Sequence, residues 1–256
     1  MYIIFLKLSL LGGIIGLDTT VVGQIMISQP LVSGAITGFL LGNLPAGILI
    51  GALLQLLWIA AIPIGSAIPP DSSLMAILAT AITIMAGKVS PSSMMLAMMI
   101  SIPVGLLTGK VDVIIRRINI SLVHWIEGKL EKGEPQVLSR GVIIGVLLFF
   151  FKNFLLLLIF LPLGVIIQRN LLLILPEWGN RGLGISLGLV PVLGMAVILE
   201  GFVTRHRVSF FLAGGLISLL VIKGLNFPLW GWVLSLLILC GITLLPEKRI
   251  SGKNTP

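Results

Sequence analysis

Asp71 stands in the run Pro63-Ile64-Gly65-Ser66-Ala67-Ile68-Pro69-Pro70-Asp71-Ser72-Ser73, which separates two apolar stretches. A carboxylate accepts hydrogen bonds on both oxygens, and serine hydroxyls such as those of Ser66 and Ser72 both donate and accept. That combination equips a site to hold a hydroxylated solute. Gln55, in the apolar stretch before the run, adds an amide, and Asp18 and Gln24 add a second acid and a second amide in an earlier polar interruption. Asp18, Gln24, Gln55, Ser66, Asp71 and Ser72 are therefore the candidate substrate-binding residues. Each also has a plainer reading. Pro-Pro-Asp-Ser-Ser before an apolar run is a helix start with Asp71 as its N-cap. The two roles are compatible, because the N-terminus of a half-helix is itself a ligand-facing position. Gln55 equally suits an interhelical hydrogen bond, worth about 0.6 kcal/mol on average in membranes. Asp18 and Gln24 either close the same cavity or cap a break, and Thr19-Thr20 after Asp18 favours the cap.

Other chemistries find little support. Cys240 is the only cysteine, so no internal disulfide and no cysteine-based metal site can form. His124 lies on an amphipathic stretch and His206 in the basic turn Arg205-His206-Arg207; neither has the neighbours of a catalytic or metal site. Gly-Asn-Arg-Gly-Leu-Gly at 179–184 lacks the preceding strand of a phosphate loop. An intramembrane aspartyl protease built on Asp18 and Asp71 would carry Gly-x-Gly-Asp, which neither loop has. No catalytic residue, metal or cofactor is assigned.

The elements that must position these residues are membrane helices. Of 256 residues, 57% are hydrophobic and 10% charged, where a soluble domain carries about a quarter charged. Mean hydropathy is +1.17. The apolar runs are continuous, which excludes the alternating strands of an outer-membrane barrel. The expected fold is an all-α polytopic membrane protein, a helical bundle with broken or re-entrant helices. The net charge of +8 belongs to loops that orient the chain and meet anionic headgroups, not to nucleic acid. The first residues read as a retained span, since no basic segment precedes the apolar run.

The run at 63–73 breaks a helix with three prolines, a glycine, an acid and serines. Backbone freed in this way is tolerated at membrane depth only inside protein or against a wet cavity. An acid there costs roughly 2.5–3.5 kcal/mol, so Asp71 requires a partner or water. Residues 31–42 are also too short to span and read as re-entrant or half a broken helix. Their glycines Gly34, Gly38 and Gly42, continued by Gly47 and Gly51, form a smooth face for close backbone packing. Four regions are expected: a transport core with broken helices at 1–109, a cytoplasmic amphipathic segment at 110–140, membrane helices at 141–246 and a polar cytoplasmic tail at 247–256. Lys152-Asn153 and Pro162 mark an expected break within 141–168, and 170–182 reads as a loop. Lys152 and Glu200 are expected to pair across spans or to meet a partner, with snorkelling of Lys152 as the alternative if its span is offset. Placing 110–140 in the cytoplasm also brings Arg205-His206-Arg207 and the C-terminal Lys248, Arg249 and Lys253 inside, consistent with the positive-inside rule.

Four segments carry a family resemblance: Asp18 with Gly23-Gln24-Ile25-Met26-Ile27-Ser28-Gln29-Pro30-Leu31-Val32; Gly38-Phe39-Leu40-Leu41-Gly42-Asn43; Gly47 to Leu56; and Ile64 to Asp71. They resemble the IIC component of the mannose/fructose/sorbose class of the bacterial phosphotransferase system, densely over about 1–110 and in hydropathy and length to about 246. The resemblance implies a permease subunit in the bacterial inner membrane. A IID membrane subunit would complete the sugar path, IIA and IIB cytoplasmic phosphocarriers would supply the phosphoryl group, and the complex would be an oligomer. This chain would then need no phosphoryl-carrying residue. The family commonly has an acid where this chain has Gln55 and an arginine where it has Gln29. Those departures keep a second reading open: a non-transporting scaffold or regulatory subunit of an incomplete system.

Overall fold

The computed structural model describes residues 2–19, 21–59, 61 and 69–202, with side chains as far as residue 198. Ser66, Cys240, the basic turn at 205–207, the apolar runs beyond it and the tail lie outside the described residues, as does the side chain of Glu200. The chain divides into two compact units, Met1–Val197 and Ile198–Pro256; the first contains all six candidate site residues. The helices are α1 (Tyr2–Leu17), α2 (Pro30–Leu40), α3 (Leu44–Trp58), α4 (Ser72–Met85), α5 (Pro91–Leu130), α6 (Val137–Ile174) and α7 (Glu177–Phe202), with no strand among the described residues. The all-helical membrane architecture is the one that composition required.

α4 is the axis of the first unit. From Leu74 to Thr83 every side chain is buried, and α1, α2, α3, α5 and α6 pack around it. A helix that is apolar on all sides can be satisfied only in such a central position. α2, α3 and α4 have 11, 15 and 14 residues, about 17–23 Å each at 1.5 Å per residue. They fall short of the roughly 30 Å hydrocarbon layer and are half-helices; of the proline-rich run expected to break the helix at 63–73, residues 63–68 lie outside the described residues.

α2 and α3 form a close hairpin through glycines. A Cβ on Gly34 would lie 2.7 Å from the carbonyl oxygen of Gly47, and one on Gly38 would lie 2.7 Å from that of Asn43. Gly51 sits equally close to Pro30 and Leu31. Gly42 corrects the expected stripe: it stands free, just past the end of α2, with φ +76°. Its role is to end the helix in a conformation that side-chain-bearing residues avoid.

Three helices, α5, α6 and α7, are long and apolar enough to cross a membrane. α5 has 40 residues and α6 has 38, about 57–60 Å each, so both extend well beyond the bilayer. The amphipathic stretch does not begin at 110 as a separate helix; it is the second half of α5, continuous through Pro103, and the turn to α6 occupies only 131–136. α6 likewise runs unbroken through Lys152, Asn153 and Pro162. A proline removes one N–H, but packing on both sides keeps the helix in line. Ile126 of α5 covers Gly141, and Gly12, Gly13 and Gly16 of α1 seat Leu157, Phe150 and Asn153 of α6. The expected loop at 170–182 is reduced to Leu175-Pro176 between α6 and α7.

Candidate functional site

The N-termini of two half-helices converge on one cavity. Ser28 and Gln29 lead into α2, while Pro69, Pro70, Asp71, Ser72 and Ser73 lead into α4; together with Thr19, Asp112 and Arg116 they enclose about 220 Å³. That is below the roughly 300–1,000 Å³ of drug-sized pockets and suits a small solute. Both helix ends direct the positive end of the macrodipole toward it, although the first N–H groups of α2 are taken up by Gln55 and by the Gln29 carbonyl.

Asp71 caps α4. Its Oδ1 accepts from the Leu74 amide at 3.0 Å and from the Ser73 hydroxyl at 2.6 Å, while its own amide donates to the Gly105 carbonyl at 3.3 Å. The Oδ2 atom faces the Lys152 ammonium at 3.8 Å. Lys152, in mid-α6, is buried, its side chain only 3% exposed, and it donates to Asp112 Oδ1 at 2.5 Å. The acid that needed a partner thus has one, and so does the lysine, whose partners are Asp71 and Asp112. A buried charge persists only when paired and hydrogen-bonded, and here one ammonium bridges two carboxylates from α4 and α5. Arg116, one helical turn beyond Asp112, lines the same cavity. Two acidic and two basic side chains therefore stand at or beside the cavity.

Gln55 touches this site through Gln29. Its Nε2 donates to Gln29 Oε1 at 2.7 Å, and its Oε1 accepts from the Leu31 amide at 3.4 Å. The interhelical hydrogen bond and the site are therefore one arrangement. It also joins the two positions at which the resemblance implies an acid and a base, so the two departures amount to one exchange, a neutral pair for a charged pair.

Asp18 lies one layer out. It is buried, and its carboxylate accepts from the Ile25 amide at 2.7 Å, the Ser28 amide at 3.0 Å and the Ser28 hydroxyl at 2.9 Å. It braces the loop between α1 and α2, in which Gln24 (φ 48°) and Met26 (φ 67°) hold left-handed backbone that needs such over-determination. Gln24 is exposed on that loop and does not line the cavity. Of the six candidates, Asp71 and Ser72 line the cavity, Gln55 reaches it through Gln29, Asp18 supports Ser28, and Ser66 lies outside the described residues. Asp112, Arg116 and the partner role of Lys152 were not legible. Asp112 sits in a stretch rich in both charges, and nothing local separates it from a solvated surface acid.

The chain matches the family described as PTS system sorbose-specific IIC component over residues 2–238. It is 23% identical over 235 residues to the PTS system mannose-specific EIIC component of Escherichia coli strain K12, covering 91% of this chain and 86% of that one. Among solved structures, a chain described as a membrane protein superposes with a TM-score of 0.66 at 22% identity, covering 96% of both chains. A chain from the mannose transporter ManYZ in complex with microcin E492 superposes with a TM-score of 0.56 at 21% identity, also covering 96% of both.

Proposed function

We propose, from the premise that this chain belongs to the sorbose-specific IIC family of phosphotransferase-system sugar permeases, that it forms a sugar path with a IID subunit and presents the sugar to a IIB subunit for phosphorylation. Its membership makes it a multi-pass transport protein of the bacterial inner membrane. The solved structure of similar fold is named as the mannose transporter ManYZ, which supports a IID partner here.

The observation that carries the reading is the polar cavity at the meeting of two half-helix N-termini. A hexose is an uncharged polyol, and the cavity offers carboxylate acceptors, amide donors at helix ends and hydroxyls that serve both ways. Asp71 and Ser72 would contact the sugar, Gln55 would hold Gln29 in place, and Asp18 would keep Ser28 at the rim. The broken-helix element and its neighbours would move as a unit against a frame formed by the amphipathic and C-terminal segments, which also offer the partner surface. Such relative motion carries a bound sugar from one face to the other without an open channel. IIA and IIB would supply the phosphoryl group, so this chain binds and releases rather than catalyses.

Expression of the chain with IID and IIB in a host lacking it should restore uptake of at least one of mannose, fructose and sorbose. Assembly of a stable complex without uptake of any of them would favour a scaffold instead.

A further inference from the structure

Asp112 and Lys152 are far apart in the sequence, yet they meet at the wall of the cavity. Each of the two carboxylates there has one oxygen tied to the protein. Asp71 Oδ1 is held by the α4 cap, and Asp112 Oδ1 by the Lys152 ammonium at 2.5 Å. Among the described residues, none donates a hydrogen bond to Asp71 Oδ2 or Asp112 Oδ2, and the first of these has only the ammonium at 3.8 Å. Both acids line the cavity. Two acceptors anchored by different elements are a recognition device for two hydroxyls of one solute, because each carboxylate is fixed by its tied oxygen. Lys152 supplies the fixed point. It is buried by α6 and pulls Asp112 of α5 toward Asp71 of α4.

We propose that Asp112 is a second sugar-contacting and specificity-determining residue, accepting a hydroxyl different from the one that Asp71 accepts, and that Lys152 is the positioning residue that sets the separation of the two carboxylates. This rests on the reading of the cavity as a sugar site. Hydrogen bonds to charged acceptors are stronger than neutral ones, so two of them at a fixed spacing select one arrangement of hydroxyls around a ring over its epimers.

The test uses the complete transporter, this chain with its IID and IIB partners, and radiolabelled mannose, fructose and sorbose with their monodeoxy derivatives. For whichever sugar the unaltered complex takes up, Asp112→Asn should raise KM roughly 10- to 100-fold. It should also erase discrimination against one deoxy derivative while leaving the order of the others intact. Asp71→Asn should erase discrimination at a different hydroxyl. Lys152→Met should blunt both, and Lys152→Arg should recover most of the loss. Asp112→Glu, which keeps the charge and the lysine contact, should fold like the parent and reorder the derivatives. A lowered Vmax with unchanged KM and unchanged ranking in both Asp112 variants overturns the proposal. So does a Lys152→Met/Asp112→Asn double variant with the parent KM, which would make the pair a structural tie. If the unaltered complex takes up none of the sugars, the permease reading itself fails and this proposal falls with it; that control separates the two failures.

Discussion

Asp71 caps α4, and one substitution can separate that cap from the sugar contact proposed for it. Asparagine caps helices about as well as aspartate, whereas alanine loses about 0.5–2 kcal/mol. Asp71→Asn should therefore melt near the parent temperature and lose sugar affinity, while Asp71→Ala should lose both; thermal unfolding of the purified complex, read beside binding, checks this. The Gln29–Gln55 contact makes a second prediction. Gln55→Glu or Gln29→Arg alone places an unmatched charge in a half-buried contact and should lower stability by about 1–3 kcal/mol. The two together should restore an ion pair, with a coupling of about 0.5–3 kcal/mol in a double-mutant cycle; additive effects would show that the side chains do not meet. The Asp71 cap was legible because a helix start is a local pattern. The ion cluster was not, because Lys152 and Asp112 stand 40 residues apart, and pairing at that distance is decided by how α5 and α6 pack. Lys152 at mid-span did announce a need for partners, but the one expected from sequence, Glu200, has its side chain outside the described residues, and the partners observed are Asp71 and Asp112.

The half-helix hairpin is the element on which the cavity depends, and its glycines are the reason it can exist. Gly34→Ala and Gly47→Ala place a methyl against a neighbouring backbone, at both positions closer than real Cβ atoms approach. Backbone cannot swing aside as a side chain can, so each should cost about 1–3 kcal/mol and disturb Gln29 at the start of α2. Gly128→Ala, on exposed α5 with open space around it, should be neutral or slightly stabilising through helix propensity. Comparison of membrane abundance and melting temperature across the three tests this. The glycine spacing of four was readable as a packing face, except at Gly42, where periodicity and helix termination ask for the same residue type. The long helices were harder to read. Pro103, Pro162 and Lys152 each resemble a breakpoint, yet α5 and α6 continue past them because neighbouring helices hold both sides of the backbone. Conversely, the shortness of α2 was plain, since bilayer thickness is a fixed ruler.

In the first unit, a short-helix core around α4 sits beside two helices longer than the bilayer is thick, and the exposed α5–α6 turn carries Glu131, Lys132 and Glu134, the last paired with Lys129 at the end of α5. A cytoplasmic position for that turn predicts that Lys132→Cys, made in a Cys240→Ala background, reacts with an impermeant thiol reagent only in inverted vesicles. Labelling in intact cells would reverse the orientation. The expected orientation rests on charge bias, which is a bulk property of the sequence, whereas the place where three helices bring two acids and a lysine together is not. The central claim is that the cavity between the α2 and α4 N-termini holds the sugar. Calorimetric titration of the purified IIC–IID complex with its transported sugar, parent against Asp71→Asn, tests it most directly. Saturable binding by the parent, at least about tenfold weaker in the variant (1.4 kcal/mol) at an unchanged melting temperature, is the predicted result; equal affinity in the two would contradict it.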